Sequence, residues 1–188
     1  MSGRRHLPTL LVLTLSLALA MPALAKDRFR VHHPQIRLEN GTYIMNLAVS
    51  FAFTREALEA LDNGVPLTIT THIQVRRSDA WMWEDSQLDL QLRRAIRYRP
   101  LSKRYEVYQL PGASGREFVT HEAAIRALGE IADLRLVDQQ SLDREHAYEV
   151  QLKVFLDIEE LPLPLRPMAY LKPSWKLSSG WKKWPLTP

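Results

Sequence analysis

No cysteine occurs in the 188 residues. That excludes disulfide bridges, thiolate nucleophiles, cysteine zinc sites and a lipid carried on an N-terminal cysteine. Glycine is scarce as well. The seven glycines form neither a Walker phosphate loop nor a G-x-S-x-G elbow, so Ser50, Ser102 and Ser178 lack the sharp turn that exposes a catalytic serine. The single long apolar run, Leu7 to Ala20, is broken by Thr9, Thr14 and Ser16 and is shorter than the about 20 residues a membrane-spanning helix needs. No large charge excess is present either. The first 25 residues hold two of the 25 Lys and Arg and none of the 21 Asp and Glu, which leaves the remainder at +2. A near-balanced chain gives no ground for nucleic-acid binding.

What is present begins with an export signal. Arg4 and Arg5 form a basic start, the apolar run follows, and Ala23-Leu24-Ala25 is a small-residue cleavage pattern. Cleavage after Ala25 leaves Lys26 to Pro188 as one domain in an extracytoplasmic space, the periplasm; the alternative is an uncleaved signal anchoring the chain to the inner membrane. With no disulfide available, stability has to come from packing, and 163 residues suffice for a core.

Side chains alternate with period 2 along Thr42–Phe53, Leu67–Arg76, Leu88–Tyr98 and Tyr148–Ile158, the signature of half-buried strands. Residues 28–53 read as a hairpin turning at Asn40-Gly41. Shorter strands are expected at Lys103–Leu110, Arg116–Val119 and Leu134–Val137. Thr54 caps a helix over Arg55–Leu61, ended by Gly64 and Pro66, and Thr120 caps a second over His121–Ile131. Pro162, Pro164, Pro167 and Pro173 make the following stretch an extended crossing. The expected fold is mainly β, an antiparallel β-sandwich (Ig/C2-like) of seven or eight strands with two short α-helices at its ends or edges.

Several segments together resemble a known family. They are Leu61-Asp62-Asn63-Gly64-Val65-Pro66-Leu67, Trp81-Met82-Trp83, Tyr98 with Leu101-Ser102-Lys103-Arg104-Tyr105, Leu161-Pro162-Leu163-Pro164-Leu165-Arg166, and Trp175. On these the mature chain resembles the DUF4390 family of exported proteobacterial proteins. The resemblance implies a membrane sensor kinase of the nitrogen-regulation type as signalling partner; it implies no activity and no site residues.

Candidate chemistry is thin. His32-His33 with Glu39 is the best metal candidate, but neighbours on a strand point to opposite faces, so the pair reads as solvated and no metal or cofactor is assigned. Asp79, Glu84 and Asp85 beside Trp81 and Trp83 evoke a carbohydrate-cleaving carboxylate pair, against a plain loop with its tryptophans folded down. Surface candidates are stronger: Trp81 and Trp83, the basic stretch Arg93, Arg94, Arg97 and Arg99, and the tail of Trp175, Trp181, Lys182, Lys183 and Trp184. Tryptophan beside lysine suits a membrane interface, and a closing strand buries tryptophan equally well. The expected function is a non-enzymatic periplasmic interaction module that tunes a membrane-bound partner or meets a membrane surface. A carrier of lipid or another apolar ligand between its sheets is the runner-up, and a carboxylate hydrolase stands third.

Overall fold

Asn40 and Gly41 adopt φ of 49° and 80°, the paired positive angles of a tight hairpin turn. They join β2 (Gln35–Glu39) to β3 (Thr42–Phe51), and a three-residue strand, β1 (Phe29–Val31), also pairs antiparallel with β3. The computed structural model describes residues 28–81, 86–112 and 114–186. Thr54 Oγ1 accepts from the Ala57 N–H at the start of α1 (Arg55–Asp62), and Gly64 follows with φ +84°.

Beyond it run β4 (Leu67–Arg77), β5 (Leu88–Arg99), β6 (Arg104–Gln109) and β7 (Arg116–Phe118), each pairing antiparallel with the next. Then come α2 (His121–Gly129), β8 (Glu130–Asp138), β9 (Tyr148–Leu156), α3 (Arg166–Leu171) and β10 (Ser178–Leu186). The fold is mainly β and antiparallel. One sheet is built on β3, which pairs with β1, β2 and β8; the other has the order β10-β9-β4-β5-β6-β7.

The inward sides of both sheets meet in one core. Phe29, Met45 and Leu47 from the first sheet pack with Ile73, Val75, Val150 and Leu152 from the second, all at most 4% exposed. Burial of this kind contributes about 25 cal/mol per Å² of apolar surface. α2 contacts β3 of one sheet and β5, β6 and β7 of the other, so it bridges them. Among the described residues, no helix is long and apolar enough to cross a membrane.

Four features depart from the sequence expectation. Among the described residues there are ten strands rather than seven or eight. The second helix stops at Gly129 instead of Ile131, and β8 starts at Glu130 without a loop, so the short strand expected at Leu134–Val137 is longer. A third helix, α3, sits in the proline-rich stretch; Pro167 lies in its first turn, where the missing N–H needs no partner. Thr68 and Thr70 do face away from the core, yet both are buried. The chain after β9 covers them: Asp157 donates its N–H to the Thr68 carbonyl and accepts from Thr70 Oγ1.

Candidate anionic-ligand cleft

Period 2 decides where the charges go. Phe29 is fully buried, with its ring 4.8 Å from Phe51 and 5.5 Å from Phe53 in edge-on contact. Its chain neighbours Arg28 and Arg30 are both exposed, on the side away from Phe29. Lys153 lies between Leu152 and Val154, and Lys176 between Trp175 and Leu177; all four flanking residues are at most 2% exposed. Register then gathers these cations. β1 starts where β3 ends, by the pair Phe29 and Phe51, and β10 starts where β9 ends, by the pair Ser178 and Phe155.

At that end of the sandwich β1 contacts β9 and β10. An open cleft of about 1010 Å³ lies there, lined by Arg28, Arg30, Lys153 and Lys176. Ser50, Ser174 and Ser178 add hydroxyls, and Phe51, Pro173 and Trp181 supply apolar wall. No carboxylate among the described residues lines it. Among the described residues Arg28, Arg30 and Lys176 form no ion pair, and Lys153 Nζ stands 5.3 Å from the centroid of the Phe155 ring. Cations and hydroxyl donors without a competing carboxylate make a receptor for an anion.

The arginines of β5 are arranged differently. Arg93 Nη1 is 2.6 Å from Glu160, while Arg97 Nε and Arg99 Nε lie 2.9 and 2.8 Å from the same Glu106 oxygen. Glu106 is 3% exposed and also accepts from the Gly115 N–H. Burial pushes its carboxyl up, but the hydrogen bond and charge of Arg97, the Gly115 N–H and the charge of Arg99 outweigh that, holding it below the ordinary glutamate range.

Arg94 points to the opposite face and donates to the carbonyls of Ala127, Leu128 and Glu130, closing the C-terminus of α2. Arg94→Ala leaves those carbonyls short of donors. A loss of about 2 kcal/mol is expected, read by chemical denaturation.

The chain matches the family described as Domain of unknown function (DUF4390) over residues 26–185. It is a member of the DUF4390 family. No curated protein and no solved structure matches it.

In this DUF4390 domain the tryptophans have separate fates. Trp175 is buried at 2% exposure, and Trp184 packs against the core opposite Val150 on β9. Trp181 is half-exposed, with its ring 5.1 Å from that of His72. Lys183 pairs with Glu149 at 2.8 Å, and Lys182 stands opposite Leu152. The tail is thus the closing strand β10, and of its candidates only Trp181 lines the cleft. Trp81 is 64% exposed at the far end of β4, where its carbonyl accepts from Arg76. Trp83, Glu84 and Asp85 lie outside the described residues.

Asp79 accepts from Arg77 Nε and Nη2, at 3.1 and 2.9 Å, and these bonds keep its carboxyl below the usual range. That is the reverse of what a general acid needs. His32 Nε2 lies 2.7 Å from Ser50 Oγ, whereas the His33 ring lies 6.3 Å from that of Trp184, so the two histidines address different neighbours. Among the described residues, no three of His, Asp and Glu come together as a metal site.

The cleft residues Arg28, Arg30, Lys153 and Lys176 were not singled out by the sequence. A signal for the first two was there, an aromatic between two arginines on a strand.

Proposed function

We propose that this DUF4390 protein is a non-enzymatic interaction module of the periplasm, tuning a membrane-bound partner by holding an anionic group in the cleft between β1, β9 and β10. The observation that carries the reading is the contrast in charge compensation. The β5 arginines Arg93, Arg97 and Arg99 each meet a carboxylate, while the cleft gathers four cations with no carboxylate among its described lining residues. Unneutralised charge grouped in a concave site costs self-repulsion, and a ligand of opposite sign relieves it.

Carriage of an apolar ligand between the sheets finds less support. The fully buried side chains of Ile73, Val75, Val150 and Leu152 fill that space, and an acyl chain would have to displace them. A hydrolase centred on Asp79 lacks a raised carboxyl there.

The test is crosslinking in cells followed by recovery of the envelope partner. Reversing two cleft charges, Arg30→Glu with Lys153→Glu, is expected to lower recovery about tenfold, equivalent to about 1.4 kcal/mol, with an unchanged melting temperature because both side chains point away from the core. Equal recovery from the reversed and native proteins rejects the cleft as the working surface.

A further inference from the structure

The turn that closes the cleft continues an exposed apolar projection. Ala169 is fully buried and pins α3, which leaves Met168, Tyr170 and Leu171 facing outward at 37%, 49% and 82% exposure. Leu163, in the 3₁₀ turn just before, is 72% exposed. These four are among the nine large hydrophobic residues exposed on the described surface, and all fall within Leu163–Leu171. The segment contacts the next 3₁₀ turn, Pro173–Trp175, which supplies Pro173 and Ser174 to the cleft wall, with Lys176 following.

An apolar projection is therefore set beside a cationic cleft on one end of the molecule, with the half-exposed indole of Trp181 on the cleft's other wall. Tyr170 keeps its hydroxyl on Glu159 at 3.1 Å, presenting an apolar ring and a satisfied polar tip. An acidic peptide would use the cations but leave Leu163 and Leu171 in water. A bilayer surface uses both, since apolar side chains enter the headgroup boundary while arginine and lysine meet phosphates.

We infer that the anion taken by the cleft is the phosphate of an anionic phospholipid, and that the domain docks peripherally on a bilayer with Leu163, Met168 and Leu171 entering the interface. The inference rests on the cleft reading above and names its occupant. Docking needs both signals, because a few apolar side chains or a few cations alone bind only weakly. Loss of either is expected to release the protein.

The experiment is co-sedimentation of the purified protein with vesicles of phosphatidylcholine alone and of phosphatidylcholine mixed with phosphatidylglycerol. Binding to the mixed vesicles is expected to be about tenfold stronger and to fall as salt is raised. Leu171→Asp, at a side chain too exposed to matter for folding, is expected to lose about tenfold on the mixed vesicles. Arg30→Glu with Lys153→Glu is expected to lose at least as much. Leu38→Asp is the control: Leu38 is 46% exposed and pairs with Tyr43, at the other end of β3 from Phe51, and should bind as the native protein does.

Equal binding to both vesicle types, or binding indifferent to Leu171→Asp, overturns the inference. Absence of vesicle binding, together with a crosslinked protein partner that still depends on Arg30 and Lys153, also overturns it while leaving the interaction cleft standing.

Discussion

Gly129→Ala lowers the melting temperature by roughly 4–8 °C, the shift that corresponds to about 2 kcal/mol in a domain of this size. A methyl group at this position would lie 2.1 Å from the Val49 carbonyl oxygen, a contact no real Cβ makes. The obstacle is backbone on a central strand and cannot rotate aside as a side chain can. Either α2 lifts off β3 or the β3–β8 pairing shifts, and both disturb α2, which bridges the sheets. Alanine also narrows the unfolded ensemble, which favours folding by about 0.4–1 kcal/mol. The clash exceeds that, because overpacking a rigid site costs about 1–3 kcal/mol and occasionally more. Thermal unfolding followed by circular dichroism checks it; an unchanged midpoint would show that the α2–β3 approach is looser than 2.1 Å implies.

Glu106→Ala is the second large effect, about 2–3 kcal/mol by chemical denaturation. Removing one partner of a buried ion pair costs about 3–5 kcal/mol, and the lower figure applies because the Arg97 and Arg99 side chains, at 30% and 45% exposure, recover some hydration. The Gly115 N–H loses its acceptor in the same step.

The carboxyl also gives the domain an acid limit. Its folded pKa lies below the ordinary 4.5, so on acidification the unfolded chain takes up the proton first. The stabilisation is complete above about pH 4.5 and is lost as pH falls through the lower folded value. Glu106→Gln is expected to flatten that part of the stability profile; a slope identical to the native protein's would remove Glu106 from the acid response.

Much of this architecture was legible as period 2. The strands β3, β4 and β9 show it in their residues, and Thr54, Thr120 and Asn40-Gly41 mark caps and a turn by chemistry local to the chain. The end of α2 was not legible, since Ala124, Ile125, Leu128 and Ile131 continue a helical spacing through Gly129. The chain leaves the helix at Glu130, where β8 begins and pairs with Ala48 of the distant β3. α3 was hidden by its prolines, although a proline in the first turn breaks nothing.

The site was less readable than the fold. The β5 arginines announce positive charge, but Glu106 and Glu160 balance three of them and a helix terminus takes the fourth. Those partners arrive by strand pairing and loop return, which spacing along the chain does not encode. Arg28, Arg30, Lys153 and Lys176 are unremarkable one by one and become a group only when β1 and β10 are laid against their neighbours.

The cleft draws on both extremes of the described chain, Arg28 and Arg30 at one and Lys176 to Trp181 at the other. Synthesis from the N-terminus delivers the arginines early and Lys176 last. Until β9 and β10 arrive, β4 has only β5 beside it and the receptor has a single wall. Binding competence is therefore a property of the completed molecule. A chain clipped before β10 presents basic residues without the pocket, and anion binding is expected only once the last strand has joined the sheet.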